Sequence, residues 1–105
     1  MIYFITDTKN IKIGYTKNSV EKRLKQLQTS CANKLYELGW MDGDMEKENF
    51  LHKKFAHNRI RCNGEWFFPT EELINFINDN NCKKNTYVLF ENDIVVQYFN
   101  IKSNI

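Results

Sequence analysis

The sequence lacks a strong excess of charge of either sign, which limits the partners that its surface can attract. Fifteen basic and 13 acidic residues leave a net charge of +2. A protein that coats DNA in the manner of a histone carries a far larger positive excess. The charge balance therefore allows contact with nucleic acid without requiring it. Arginine is scarce, so Arg23, Arg59 and Arg61 carry more weight than the abundant lysines.

The sequence also lacks the marks of a secreted, membrane or zinc protein. Cys31, Cys62 and Cys82 are an odd number of widely spaced cysteines, and no Cys-x-x-Cys pair accompanies His52 and His57. The first residues resemble a strand rather than a signal peptide, and no apolar stretch approaches the roughly 20 residues of a membrane span. We therefore expect reduced thiols, a cytoplasmic location, no membrane contact and no zinc site.

Length and composition favour one globular domain. Hydrophobic residues make up 42% of the chain and aromatic residues 14%, which excludes a mostly disordered protein. The chain has no internal repeat and no low-complexity segment. Its 105 residues can bury a modest core but not two independent ones.

The N-terminal residues predict an antiparallel β-hairpin. Residues 2–6 and 11–16 are rich in β-branched and aromatic side chains, and residues 7–10 between them are turn formers. We expect Thr6 to pair with Ile11, and the alternation of side chains then defines two faces. The core face carries Ile2, Phe4, Ile11, Ile13 and Tyr15. The other face carries Tyr3, Ile5, Lys12 and an uncovered backbone patch at Gly14.

Three helices are predicted further along the chain. They run from Asn18 or Ser19 to about Ser30, from about Asp44 to about Asn58, and from Pro69 onward. The apolar stripe of the second helix contains Met45, Leu51, His52 and Phe55. Glu48 falls inside this stripe, and a carboxylate buried without a partner costs several kcal/mol. The residues leave two partners open, which are His52 four positions later and a metal ion.

Extended segments complete the predicted fold. Residues 35–40 alternate, with Tyr36, Leu38 and Trp40 expected on one side, and residues 64–68 form a short aromatic strand. Residues 87–90 and 94–99 read as a C-terminal hairpin. We therefore predict an α/β (α+β) fold with a small central antiparallel sheet of about three strands, flanked by helices and followed by this hairpin.

Four residues have the chemistry that phosphodiester hydrolysis requires: Tyr3, Lys12, Arg23 and Glu48. A single glutamate can hold Mg²⁺ when waters and phosphate oxygens complete the octahedron. An arginine can clamp the phosphate through its fork of donors, and a tyrosine or lysine can position the attacking water. Judged one at a time, each has an ordinary interpretation, such as strand packing for Tyr3 or pairing with Glu37 for Arg23.

The order of four sequence blocks resembles the GIY-YIG nuclease superfamily, and specifically its compact branch of phage, bacterial and viral proteins. The first block is Ile2-Tyr3, and the second is Lys-Ile-Gly-x-Thr at residues 12–16. A helical Arg23-Leu24 follows, and then Glu-x-x-Leu-His-x-x-Phe at residues 48–55. Gly-Glu-Trp-Phe at residues 64–67 ends the series. The resemblance covers residues 1–80, with residues 81–105 as an extension of the same domain.

The resemblance implies a Mg²⁺- or Mn²⁺-dependent hydrolytic site. By match, Tyr3 lies near the attacking water, Arg23 contacts the phosphate and Glu48 binds the metal. Lys12 takes the place of the second tyrosine of the family, and His52 has a branch-specific place beside Glu48. Met1 replaces the first glycine of the family pattern, and no histidine follows Arg23 by one turn.

Other charged residues are expected around this site. A basic run is usually a solvated surface, but it can also grip a phosphate backbone. The candidates for nucleic-acid contact are Lys17, Lys53, Lys54, Arg59 and Arg61. Glu65 is expected to be structural, either orienting its segment or pairing with a basic residue such as Arg61.

Three functions remain open on the sequence alone. The first is a metal-dependent endonuclease that cleaves nucleic acid, with DNA expected. The second is a catalytically inactive nucleic-acid-binding module of the same fold. The third is a viral or phage protein-interaction factor, acting in the host-cell cytoplasm, that dimerises or binds a protein through the C-terminal hairpin.

Overall fold

A computed structural model of the protein describes residues 1–61, 64–80, 86–91 and 95–98. The strands are β1 (Ile2–Thr6), β2 (Ile11–Tyr15), β3 (Tyr36–Met41), β4 (Trp66–Phe67), β5 (Thr86–Leu89) and β6 (Val95–Tyr98). The α-helices are α1 (Val20–Thr29), α2 (Met45–Lys54) and α3 (Glu71–Asn80). A short 3₁₀ helix, Ala56–Asn58, follows α2.

The central sheet is antiparallel, with the strand order β3-β1-β2-β4. Trp66 and Phe67 extend it beyond the three strands expected, because they pair with Lys12 and Ile11. The predicted register of the first hairpin is confirmed, including the pairing of Tyr3 with Gly14. The α+β fold with helices around a small antiparallel sheet is therefore confirmed.

Helices cover both faces of this sheet. The larger core joins the apolar hairpin face to α2, α3 and Phe90, and its buried members include Ile2, Phe4, Leu51 and Phe55. The predicted core face is thus confirmed. On the other face, α1 packs over Tyr3 and Ile5, which are 1% and 0% exposed. The expected uncovered patch is therefore wrong, because α1 and the Tyr3 ring cover this face.

A bulge changes the alternation expected in β3. Ile5 pairs with Glu37 and Phe4 with Gly39, so Leu38 is an extra residue between two paired positions. An inserted residue reverses the side-chain alternation beyond it. Leu38 packs in the larger core, whereas Trp40 packs with Tyr3 on the opposite face. The prediction that the two share one side is wrong for this reason.

Side-chain caps set the starts of α1 and α2. Ser19 Oγ accepts a hydrogen bond from the Lys22 amide at 3.1 Å, and Asp44 Oδ1 accepts one from the Lys47 amide at 3.0 Å. These bonds satisfy amides that lack partners inside the helix. Helix α2 ends at Lys54 rather than near residue 58, where the 3₁₀ turn ends. Its first residue, Met45, is 62% exposed, so its predicted place in the core stripe is wrong.

The C-terminal hairpin forms a second sheet of two strands. β5 pairs antiparallel with β6 from Thr86 opposite Tyr98 to Leu89 opposite Val95. Phe90 is buried in the larger core, and the Glu91 amide donates to the Thr8 carbonyl at 2.8 Å. The predicted hairpin is confirmed for the described residues, and residues 92–94 and 99 lie outside them. A role of this hairpin in dimerisation or protein binding stays a prediction.

The expectations of reduced thiols and of no membrane span can be compared with the residues that the structure describes. Cys31 carries a free thiol, and Cys62 and Cys82 lie outside the described residues. Among the helices of the described ranges, none has the length and apolar character needed to cross a bilayer.

Candidate functional site

Helix α2 is fastened to the edge of β2 by His52. The imidazole is 6% exposed, and its Nε2–H donates to the Ile13 carbonyl oxygen at 2.9 Å. Arg59 Nη2 lies 3.1 Å from Nδ1. Because a guanidinium can only donate, Nδ1 is the acceptor and Nε2 carries the proton. Both ring nitrogens are therefore engaged within the protein.

Arg59 is itself held in place from several sides. Its Nε donates to the Gly64 carbonyl at 2.6 Å, and its guanidinium lies 5.8 Å from the Phe67 ring centroid. The side chain thus links the segment after α2 to the residues before β4, and it orients His52. This internal role is one that the sequence did not indicate. Contact between Arg59 and a phosphate backbone stays a prediction.

The carboxylate of Glu48 lies one helical turn before His52 and is half-buried. Within the described ranges it has no hydrogen-bond or ion-pair partner. Pairing with His52, one of the two partners left open by the sequence, is wrong because Ile13 and Arg59 occupy the ring nitrogens. A half-buried carboxylate without a protein partner is suited to bind a cation or a donor group of a ligand.

Lys12 and Glu65 form an ion pair beside this carboxylate. Lys12 Nζ lies 2.7 Å from Glu65 Oε2, and the two side chains are 9% and 43% exposed. Of the two structural roles expected for Glu65, pairing with Arg61 is therefore wrong. The reason is the β2–β4 pairing, which places Trp66 opposite Lys12 and the Glu65 carbonyl within 3.0 Å of the Ile13 amide. Glu65 consequently belongs to the site that contains Lys12.

Three side chains come close enough to share a ligand. One potential ligand atom each from Glu48, His52 and Glu65 lies within 4.8 Å of the others. Carboxylate oxygens suit Mg²⁺ or Mn²⁺, which bind one or two carboxylates together with waters and phosphate oxygens. The hydrogen bonds of His52 leave the two glutamates as the donors that fit such an ion.

Tyr3 lies in β1, and its ring covers Gly14 of the neighbouring strand β2. The first carbon of a side chain at Gly14 would lie 2.8 Å from Tyr3 Cε1 and closer still to Cζ and the hydroxyl. The Tyr3 ring therefore explains why residue 14 is glycine. Glycine in a strand can also indicate a bulge or a closely approaching helix, but neither is the reason here. Among the described residues, the buried Tyr3 hydroxyl has no hydrogen-bond partner.

Arg23 occupies the helix that covers the Tyr3 face. Helix α1 packs on Tyr3 through Val20, Leu24 and Leu27, so Arg23 lies on the Tyr3 side of the sheet. Arg23 is half-buried as a residue, and its Nη1 donates an exposed hydrogen bond to Gln26 Oε1 at 3.3 Å. No contact within the described ranges joins it to Glu48. That Arg23 lies close to Tyr3, Lys12 and Glu48 stays a prediction.

The family follows from a comparison with known domains. A model of the T5orf172 domain matches residues 1–81. The chain belongs to the T5orf172 domain family. This domain is found in phage and bacterial proteins, is related to GIY-YIG-like nuclease folds and is associated with nuclease-like and DNA-binding functions. No curated protein and no solved structure matches the chain.

The T5orf172 domain exposes most of the predicted nucleic-acid contacts. The exposed members are Lys17, Lys53, Lys54 and Arg61. Lys54 Nζ lies 5.8 Å from the Phe55 ring and 5.9 Å from the Phe76 ring, so its stem covers core aromatics. Contact of these four exposed residues with a phosphate backbone stays a prediction.

Two residues of the T5orf172 domain have roles in the site that the sequence did not indicate. They are Glu65 beside Lys12 and Arg59 beside His52. β4 has only two residues, which is too short to show an alternating pattern. Membership of Glu65 in the Gly-Glu-Trp-Phe block was the one signal available before the fold was known.

Proposed function

We propose that this T5orf172 domain is a GIY-YIG-type endonuclease that hydrolyses phosphodiester bonds of nucleic acid, with DNA as the expected substrate and Mg²⁺ or Mn²⁺ as cofactor. The observation that carries the proposal is the half-buried Glu48 carboxylate, which has no partner among the described residues and lies beside Glu65 and His52. A carboxylate without a protein partner is available to bind a divalent cation together with waters and phosphate oxygens.

In this proposal Glu48 holds the divalent ion, and Glu65 lies close enough to contribute a second oxygen. The ion supplies Lewis-acid chemistry at the phosphate when it is bound. His52 is a positioning residue, because its bond to the Ile13 carbonyl fastens α2 to β2 and so sets the place of Glu48. Arg59 supports His52 from the other side of the ring.

Positive charge from Lys12 and Arg23 stabilises the transition state in the proposed reaction. Lys12 is held by Glu65 and is only 7% exposed, so it acts as a fixed ammonium group rather than as a mobile base. Arg23 contributes a guanidinium, whose planar donors match phosphate oxygens. Charges that are already oriented cost no reorganisation when the reaction occurs.

The Tyr3 hydroxyl is the group proposed to orient the attacking water. It is buried against Gly14 and has no hydrogen-bond partner within the described ranges, so a bound water is its partner in this proposal. Replacing Tyr3 with phenylalanine would keep the ring over Gly14 and remove only this oxygen. We therefore expect Tyr3→Phe to unfold at the same temperature as the wild type and to lose cleavage at least about tenfold.

Cleavage of supercoiled plasmid, single-stranded DNA and RNA should be measured with Mg²⁺, with Mn²⁺ and with EDTA. We expect Glu48→Gln to reduce the rate at least about a hundredfold, which is the scale of removing one charge-stabilising group. Glu46→Gln is the matched control, since Glu46 lies in the first turn of the same helix and is exposed. Equal cleavage by wild type and Glu48→Gln would contradict the proposal.

The Lys12–Glu65 ion pair also favours a second candidate, a nucleic-acid-binding module without turnover. Lys12 stands in place of a family tyrosine, and its ammonium is already paired at 2.7 Å. A site that presents this cation in place of the second family tyrosine can bind phosphate without cleaving it. Salt-dependent DNA binding, with no cleavage in any divalent metal, would select this second candidate.

A further inference from the structure

A cleft of about 390 Å³ lies next to the site and is lined by Asp7, Asn10, Ile60, Arg61, Gly64 and Trp66. Its volume falls in the roughly 300–1,000 Å³ range of small-ligand sites. Three parts of the chain build it, namely the turn between β1 and β2, the segment after the 3₁₀ helix, and the start of β4.

Trp66 connects this cleft with the proposed site. Its half-buried ring lines the cleft, its centroid lies 5.7 Å from Lys12 Nζ, and its residue pairs directly with Lys12 in the sheet. Ile60 forms a second apolar wall, and its amide donates to the Trp66 carbonyl at 3.1 Å. The cleft thus opens one residue away from the Lys12–Glu65 pair.

The polar groups of the cleft divide into a cationic and an anionic side. Arg61 is exposed, and its guanidinium has no carboxylate partner within the described ranges. Asp7 Oδ1 accepts hydrogen bonds from the amides of Lys9 and Asn10 at 3.0 and 2.8 Å, which holds this carboxylate in the turn. A phosphate is therefore favoured at Arg61, and a hydrogen-bond donor is favoured near Asp7 and Asn10.

We propose that the cleft binds one unpaired nucleotide next to the scissile phosphate, with its base stacked on Trp66 and its phosphate at Arg61. An aromatic plane accepts any base, and a base must be free of a duplex to enter such a cleft. The substrate class is then single-stranded nucleic acid or an unpaired nucleotide within a duplex. This inference rests on the proposed function, because it names the part of that substrate bound beside the site.

Binding without cleavage tests the inference. The full chain in EDTA is titrated into a fluorescently labelled 12-nucleotide thymidine strand and into a strand of equal length made of abasic nucleotides. Fluorescence anisotropy should give at least about fivefold tighter binding of the base-bearing strand, the lower end of what one stacked base contributes. Equal affinity for the two strands would overturn the inference.

Substitutions in the cleft distinguish the contribution of base stacking from the contribution of the phosphate contact. Trp66→Leu should bring the base-bearing strand to the affinity of the abasic one, whereas Phe50→Leu should keep the difference, since Phe50 is 55% exposed on α2 and outside the cleft. Arg61→Gln should weaken the binding of both strands equally. It should also lower the salt dependence of the binding affinity by an amount that corresponds to about one phosphate contact. A Trp66→Leu protein that keeps the difference would contradict stacking at this residue.

A second measurement does not require a change at Trp66. The chain has two tryptophans, so Trp40→Phe leaves Trp66 as the single fluorophore. The thymidine strand should quench its emission and the abasic strand should not; equal responses would overturn the inference. If binding depends on the base but no metal-dependent cleavage occurs, only the proposed hydrolase activity is refuted. If cleavage occurs but binding does not depend on the base, only the proposed nucleotide-binding role of the cleft is refuted.

Discussion

Adding one methyl group at Gly14 should displace Tyr3 and destabilise the protein. In Gly14→Ala the new carbon would lie 2.8 Å from Tyr3 Cε1 and closer still to Cζ and the hydroxyl. Carbon atoms in contact are normally about 3.5–4.0 Å apart, so the ring must move by roughly 1 Å or more. Tyr3 is 1% exposed and packs under α1, so the ring can move only by displacing the residues packed around it.

The magnitude follows from two opposing terms. A glycine-to-alanine change at an unstrained position stabilises by about 0.4–1 kcal/mol, because alanine restricts the unfolded chain. Gly14 does not have a positive φ, so this gain applies there. Overpacking a core costs about 1–3 kcal/mol. The middle of each range gives a net loss of about 1.3 kcal/mol, which corresponds to a fall in Tm of roughly 5–10 °C.

Urea denaturation followed by circular dichroism measures this loss. Gly64→Ala is the control, since its new carbon would meet nothing closer than 3.5 Å, an ordinary contact, and should leave stability equal or slightly higher. In the double variant Tyr3→Leu with Gly14→Ala, the two losses should be less than additive by about 1 kcal/mol. A Gly14→Ala protein as stable as the wild type would refute the packing of Tyr3 on Gly14.

Two further changes test the contacts around the site. His52→Leu removes the donor to the Ile13 carbonyl, so we expect a loss of about 1–3 kcal/mol in urea denaturation, and a loss below 0.5 kcal/mol would contradict the buried hydrogen bond. A double-mutant cycle with Lys12→Met and Glu65→Gln should give a coupling of about 1 kcal/mol. The same cycle on the exposed pair of His57 and Glu72 should give at most about 0.5 kcal/mol, and equal couplings would contradict the greater burial of the first pair.

The first hairpin was predictable because its signal is local. Turn residues between two apolar runs determine the loop length, and the loop length determines which residues pair. The pairing of Tyr3 with Gly14 follows from this register and is confirmed. The starts of α1 and α2 are equally local, since Ser19 and Asp44 cap amides three residues later.

The places where prediction was wrong depend on contacts between distant segments. The bulge at Leu38 arises from how β3 pairs with β1. Gly39 is a residue type that can mark a bulge, but the apolar alternation over residues 36–40 favoured a regular strand. The partner of Glu65 is 53 residues earlier in the chain, so the nearby Arg61 was the natural expectation from sequence. The local sequence pattern around Glu65 does not indicate which of several basic residues lies across the sheet from it.

The types of element, the hairpin register and the residue types available for chemistry could all be read from the chain, because they depend on side-chain alternation, helical spacing and caps within a few residues. Which side chains contact one another depends on the packing of the folded domain. That packing placed α1 over the Tyr3 face, turned Arg59 toward His52 and brought Glu65 to Lys12. Such pairings are set by how strands and helices pack together, since the partners are far apart along the chain and share no local pattern.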